Sequence, residues 1–290
     1  MVAMTKHNRK PITVRLARWR GWIQAGFLLV WLDPLMLRLH NVCGPVFHCY
    51  SCPLATFACP IGVLAHFSAL QVFPFVALGT IVILAAALGT FICGYVCPFG
   101  FLQDLIGRIP TPKLVLPAWA GYTRYVVLAT LVVAIPYLYG DGHPLFICTL
   151  CPAGALEGAL PNVVRTAVAG GDVVWPSTIK LTILGLVVVA MFFTWRPWCT
   201  LLCPLGAIYG LFNRVSLFFL RYHPTACRAC EQCSRLCKYG ILPEPGLNVS
   251  GCIRCLDCTR CKAISFETVL GSAPRTKAGT RPGARTQVEP

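Results

Sequence analysis

Long apolar runs punctuated by Gly, Pro and Cys fill most of the chain, and a polar, cysteine-dense stretch follows them. A bilayer core about 30 Å thick takes ~20 helical residues. Runs of that kind fall at about Trp19–Leu39, Val72–Ile92, Tyr125–Tyr139 and Thr178–Trp195, the third being short with room to begin before Tyr125. The first run follows a basic segment with Lys6, Arg9, Lys10, Arg15, Arg18 and Arg20, as a signal peptide would. No small-x-small cleavage site follows it, and Asp33-Pro34 interrupts it, so it reads as an uncleaved first helix. The pattern predicts a membrane all-α domain over residues 1–222 with four transmembrane helices. A short amphipathic stretch, Leu211–His223, leads into a small α+β domain over 223–270. The remainder, 271–290, has no apolar periodicity and reads as a disordered basic tail.

Composition agrees. Of 290 residues, 56% are hydrophobic and 12% charged, about half the charged share of an ordinary soluble domain. Mean hydropathy is +0.67. The formal charge of +15 would suit nucleic acid, but the basic residues flank apolar runs or lie in the tail, which is what membrane orientation requires. Nucleic acid is therefore not an expected partner, and the bilayer is. Residues 41–71 contain no Lys or Arg, and 140–177 contain only Arg165, whereas the N-terminus, the loop with Arg108, Lys113 and Arg124, and everything after Arg196 are basic. By the positive-inside rule both termini are expected in the cytoplasm of a multi-pass protein. Six cysteines, Cys43, Cys49, Cys52, Cys59, Cys148 and Cys151, then fall on the outer face, and Cys93, Cys97, Cys199 and Cys203 on the inner one.

The inner cysteines belong to a repeat. CGYVCPFGFLQDLIGR at 93–108 returns as CTLLCPLGAIYGLFNR at 199–214, offset by 106, with Gly, Leu and Arg at matching places. In each copy the second Cys precedes a Pro suited to the first turn of a helix, so Cys97 and Cys203 are expected at helix N-termini, where free N–H groups and the dipole favour thiolate. Four thiolates from two such corners suit one iron–sulfur cluster. Cys59-Pro-Ile-Gly and Cys151-Pro-Ala-Gly repeat the corner on the outer side. A second membrane cluster is expected there, from Cys59, Cys148, Cys151 and a fourth ligand taken as Cys52, with Cys43 and Cys49 as alternatives. A disulfide, a further metal site or buried thiols are open readings for the two left over.

The polar region carries Cys227-x-x-Cys230-x-x-Cys233-x-x-x-Cys237 and Cys252-x-x-Cys255-x-x-Cys258-x-x-Cys261. This is the two-cluster bacterial ferredoxin spacing, in which the fourth Cys of each run serves the other cluster. One [4Fe-4S] cluster is expected on Cys227, Cys230, Cys233 and Cys261, the other on Cys252, Cys255, Cys258 and Cys237. The last spacing is one residue short, and Lys238 and Lys262 stand where Pro is usual. Zinc ribbons seldom pack four cysteines so tightly.

Together these features resemble the NapH-type membrane polyferredoxins, and more loosely the C-terminal membrane half of NosR-type regulators. The resemblance rests on the four runs, the two Cys-x-x-x-Cys-Pro motifs and the two ferredoxin runs, and covers nearly the whole chain. It implies an iron–sulfur electron-transfer subunit of a prokaryotic inner membrane that exchanges electrons with the quinone/quinol pool and serves a partner oxidoreductase. The six outer cysteines depart from the simple family pattern. A copper reductase or assembly factor similar to the CcoG proteins, and a thiol-based redox sensor, are the other readings. Quinol chemistry needs a proton group, and Asp33 inside the first run is the candidate, its alternative being a helix-end residue before Pro34. Glu157 and Asp104 follow Cys-Pro corners and are read as solvated interfacial carboxylates or proton groups. His40, His48, His66 and His143 lie on the outer side, and no two share a run in the facing arrangement usual for haem.

Overall fold

The Cys-Pro dipeptides set the architecture. Proline forces the residue before it into extended backbone and suits the first helical turn. Cys59, Cys97, Cys151 and Cys203 accordingly adopt nearly one conformation, with φ of −69° to −72° and ψ of 113° to 124°. A helix starts directly after each. In the computed structural model, residues 12–31, 43–47, 49, 57–227, 230–241 and 247–269 are described, and they are mostly helical.

In chain order the helices are α1 Ile12–Trp31, α2 Pro60–Ala69, α3 Phe75–Leu88, α4 Phe91–Tyr95 and α5 Pro98–Ile106. Next comes α6 Ala118–Tyr139, which contains a π-helical stretch at Leu128–Ala134. A single turn, α7 Ile147–Leu150, precedes α8, residues 154–168, which begins as a π-helix at Gly154–Ala159. Then follow α9 Thr178–Phe193, the π-helical turn α10 Trp198–Leu202 and α11 Pro204–Phe212. Three of the apolar runs thus appear as α3, α6 and α9, with α6 starting seven residues ahead of Tyr125. The first run begins within α1, and residues 32–42, including Asp33 and His40, lie outside the described residues. Among the described helices, α6 alone is long and apolar enough to cross a membrane, while α2, α3 and α9 are shorter apolar helices.

Two hydrophobic cores share one boundary. The larger takes Ile61, Ala65, Ile81, Ala85, Phe99, Val132, Met191 and Leu205 and encloses Cys59, Cys97 and Cys203. The smaller takes Leu220, Leu247, Leu256 and Ile264 of the ferredoxin module together with Ala17 of α1 and Tyr95 of α4. The module is closed by a two-stranded antiparallel sheet, β1 Phe218–Tyr222 against β2 Ile264–Thr268, in register from Phe218↔Thr268 to Tyr222↔Ile264. Residues on both sides of the boundary expected at 222 therefore form one sheet; the stretch before it is the end of α11 and a strand rather than one amphipathic element. Asn248 acts as a local strand mimic, donating to the Leu220 carbonyl at 2.8 Å and accepting from its N–H at 3.1 Å.

The module is fixed to the helical domain by buried polar contacts. Asn213 is fully buried: its Oδ1 accepts from the Thr90 N–H and hydroxyl, and its Nδ2 donates to the Val249 and Cys252 carbonyls. Arg254 reaches back to donate to the Leu88 and Asn213 carbonyls. Tyr95 and Thr90 donate to the Cys255 and Cys252 carbonyls at 3.1 and 2.6 Å. Leaving such groups unpaired costs about 1–3 kcal/mol each. Asn213→Ala is therefore expected to loosen the module and accelerate its proteolytic release from detergent-solubilised protein; a wild-type cleavage rate would show that Asn213 does not hold it.

Candidate iron–sulfur centres

The 106-residue repeat converges on one point. Cys93 and Cys97, flanking the α4–α5 corner, and Cys199 and Cys203, flanking the α10–α11 corner, line a single pocket with Phe47, Phe99 and Trp198. The two halves use the same local device. The Gly206 N–H donates to Cys203 Sγ at 3.4 Å, and Gly100 stands at the matching place after Cys97. A Cβ on Gly100 would lie 3.1 Å from the Cys93 carbonyl oxygen, and one on Gly206 3.0 Å from that of Cys199. Glycine three residues after the second Cys is what lets the first Cys of each pair pack onto the following helix.

Charged and polar groups converge on this corner. Arg196 is fully buried, with a φ of 50° that is uncommon outside glycine. It donates to the Cys93 carbonyl at 2.6 Å and to both oxygens of Asp104 at 2.8 and 2.5 Å. Arg20 donates to Asp104 at 2.5 Å and to the Gly94 carbonyl at 3.0 Å, and Gln24 bonds to both of the same partners. Gln103 donates from Nε2 to Cys199 Sγ at 3.0 Å and accepts from the Trp198 N–H. Asp104 is thus not the solvated interfacial carboxylate expected from sequence, because two guanidinium groups enclose it. Burial alone would raise its carboxyl, but the Arg196 charge and hydrogen bond, with Arg20 and Gln24, outweigh burial and hold it at about 2. The pair's stabilisation is therefore complete above the ordinary value of 3.8 and is lost as pH falls toward about 2. Neither Arg20 nor Arg196 was singled out in the sequence, although a charge inside an apolar run, as Arg20 is, was the available signal.

In the ferredoxin module, Cys233, Cys237, Cys252, Cys255 and Cys258 line one pocket with Leu220 and Leu256. Cys233 lies within electrostatic reach of Cys227 and Cys261, and Cys230 is exposed. The two runs share a backbone device: Glu231 and Leu256, each directly after the second Cys of its run, adopt left-handed φ of 55° and 63° and start a short helical turn, Gln232–Leu236 or Asp257–Arg260. Burial, then the neighbouring thiols, pushes the Cys252 thiol up to about 12. Clustered thiols this buried ionise only against a cation, which is the electrostatic situation a cationic iron cluster resolves. Among the described residues no three His, Cys, Asp or Glu are arranged to hold a single metal ion. Thiolates around one zinc would close to about 3.8 Å of each other; sulfurs spaced around a pocket fit the larger body of a multi-iron cluster.

One of the cysteines expected on the outer face, Cys49, comes close to the inner pocket along the chain. Phe47 lines the inner pocket, and Cys49 follows two residues later, at most about 7 Å of chain. Cys49 and Cys59 in turn act electrostatically on both Cys148 and Cys151. Glu157 accepts from the Cys49 N–H at 3.1 Å. Cys43 pairs in a bridge with Ala58, the residue before Cys59, and Cys52 and His48 fall outside the described residues. His66 faces Asp141 and stacks edge-on against Phe146, and His143 accepts from the Leu145 N–H.

A sequence model of the 4Fe-4S binding domain family matches residues 70–117 and 178–222, which are the two halves of the repeat, each an apolar helix with its Cys-Pro corner. Uncharacterized protein MJ0750 of Methanocaldococcus jannaschii is 31% identical over 64% of this chain and 75% of its own length. The chain belongs to an iron–sulfur electron-transfer family. The regulatory protein NosR of Pseudomonas aeruginosa is 30% identical over 57% of this chain and 22% of its own length. The methylamine utilization ferredoxin-type protein MauN of Methylobacillus flagellatus is 27% identical over 59% of this chain and 61% of its own. No solved structure matches the chain.

Asp104→Asn leaves two buried guanidinium groups without a counter-charge and is expected to cost about 3–5 kcal/mol. Denaturant unfolding at neutral pH checks this; an unchanged midpoint would mean that the pair contributes nothing net.

Proposed function

We propose that the protein is a NapH-type membrane polyferredoxin that relays electrons between the quinone/quinol pool and a partner oxidoreductase. In this reading α1, α3, α6 and α9 are the four membrane helices, both termini are cytoplasmic, and the location is a prokaryotic inner membrane. Outward-facing apolar side chains on each of these helices support it, among them Trp22, Leu29, Val76, Ile83, Val126, Val133, Leu186 and Val189. Cys93, Cys97, Cys199 and Cys203 hold one [4Fe-4S] cluster. Cys237, Cys252, Cys255 and Cys258 hold a second, and Cys227, Cys230, Cys233 and Cys261 a third. When bound, such clusters accept and pass single electrons at potentials set by charge, hydrogen bonds and burial.

The observation that carries the reading is the contact between Gly94 and the Ile253 carbonyl, where a Cβ on Gly94 would approach to 2.8 Å. Gly94 follows Cys93, and Ile253 follows Cys252, so ligands of two centres are adjacent through backbone alone. The surrounding residues have defined tasks. Gln103 donates to a ligand sulfur; Arg196 fixes the Cys93 loop and adds positive charge; Tyr95 and Thr90 hold the Cys252–Cys255 loop. A cleft beside the inner pocket is walled by Leu114, Tyr122, Trp195 and Lys238, and shares Arg124 and Thr200 with that pocket. Its mixture of aromatic, apolar and cationic walls suits a quinone headgroup. Asp33 remains the proposed proton group.

Anaerobic Cys93→Ser protein is expected to lose about four irons and one EPR signal while keeping the ferredoxin pair, and to lose reduction by a quinol analogue. Unchanged iron content with intact quinol reduction would remove the repeat from electron transfer. Gly94→Val is expected to retain the iron and slow electron delivery to the module, read by rapid-freeze EPR; unchanged transfer would show that the Gly94–Ile253 contact is not the route.

A further inference from the structure

Cys49, Cys59, Cys148 and Cys151 come from three separate parts of the chain, all outside the segments that match the 4Fe-4S binding domain. Their placement repeats that of the inner centre. Cys59 caps α2 and Cys151 precedes the helical run into α8 with the same backbone angles as Cys97 and Cys203. The Gly154 N–H donates to Cys151 Sγ at 3.3 Å, as Gly206 does to Cys203 at 3.4 Å. α2 packs against α7, whose Cys148 lies three residues before Cys151, as Cys199 lies four before Cys203. The fourth member is brought in by Glu157, on the helix that starts after Cys151, which holds the Cys49 N–H. A counter-charge is present: Lys180, in the first turn of α9, lies by Gly154, with Nζ 3.6 Å from where a Cβ there would stand, and its charge acts on Cys148. Two of the four thiols, Cys59 and Cys151, stand at matched helix starts, and a cation lies beside Cys148.

We propose that Cys49, Cys59, Cys148 and Cys151 bind a further [4Fe-4S] cluster that exchanges single electrons with the inner centre across Phe47. This deepens the relay proposed above and rests on it. Phe47 packs against Phe99 and Trp198 at ring-centroid distances of 6.1 and 5.9 Å, and Cys97 Sγ lies 3.9 Å from its carbonyl oxygen. Glu157, which holds the Cys49 N–H, also acts electrostatically on Cys97, so one carboxylate lies within reach of both sets. Four centres then stand in series: the Cys49 set, the Cys93 set, the Cys252 set and the Cys227 set. The series runs between the side where Cys43 and Cys59 lie and the ferredoxin module. Cys49, held through its N–H by Glu157, takes the fourth ligand's place in this proposal.

The test is iron and acid-labile sulfide per chain, with EPR of the reduced protein, on anaerobic wild type and on Cys49→Ser, Cys151→Ser, Cys52→Ser and Cys93→Ser. Wild type is expected to hold about sixteen irons. Cys49→Ser and Cys151→Ser are each expected to lose about four and to keep the inner and ferredoxin signals, and Cys52→Ser to lose none. About twelve irons in wild type, unaffected by Cys49→Ser and Cys151→Ser, would overturn the outer cluster while leaving the inner one standing. Loss on Cys52→Ser with retention on Cys49→Ser would overturn the ligand assignment. Maleimide labelling guards against a misfolded variant: in folded wild type these four thiols are expected to be protected until iron is chelated, and labelling before chelation, or a disulfide among them, would overturn the proposal. If Cys93→Ser also lost no iron, the relay itself would fail, separately from the outer cluster.

Discussion

Thiolates buried in a low-dielectric interior are costly unless cations and aimed dipoles surround them, and much of this fold answers that constraint. Each Cys-Pro corner places a cysteine at a helix start, the end of a helix where negative charge is favoured, and at Cys151 and Cys203 the sulfur accepts from a free N–H there. In the two inner corners, glycine three residues on removes the side chain that would press on the carbonyl of the first cysteine. Arg196 and Arg124 bring positive charge to the inner centre, and Lys180 does so for the outer cysteines. Arg196 would itself be costly to bury, and Asp104 with Arg20 completes a network in which every guanidinium has a carboxylate. The same network donates to the Cys93–Gly94 carbonyls, so the charges beside Cys93 also fix the backbone that carries it.

A second constraint is proximity. The proposed electron transfer needs neighbouring centres, and glycines let the segments that would carry them approach closely. Gly94 lets the Cys93 segment lie on the Ile253 carbonyl, and Gly89, with φ of 56°, turns the end of α3 against Asn213 and Arg254. The module shares its core with α1 and α4 and does not dangle from a linker. Its position is therefore set by packing and by the Asn213 and Arg254 hydrogen bonds, as a relay with a fixed gap requires.

Much of the site was legible in the sequence because ligand chemistry leaves local marks: Cys-x-x-x-Cys-Pro-x-Gly specifies its own corner, and the ferredoxin spacings specify theirs. The apolar runs at 72–92 and 178–195 announced α3 and α9. What the sequence did not convey is long-range. Arg20, Gln24, Asp104 and Arg196 come from three distant elements, and nothing local marks them as partners. The adjacency of outer and inner cysteines was hidden because charge patterning sorts loops by side but says nothing of how deeply a loop re-enters; the 43–59 segment reaches into the protein until Phe47 meets Phe99 and Trp198. The early start of β1, at Phe218, was likewise masked by an apolar stretch that reads equally well as helix.

The central claim is that the repeat holds a redox centre in contact with the ferredoxin module. The direct measurement is dipolar EPR on fully reduced protein, comparing wild type with Cys93→Ser. Paramagnetic clusters on adjacent loops are expected to broaden and split one another's signals, and removal of the inner centre is expected to simplify the spectrum of the module's Cys252 cluster. A module spectrum free of magnetic interaction in wild type, and identical in Cys93→Ser, would contradict the account.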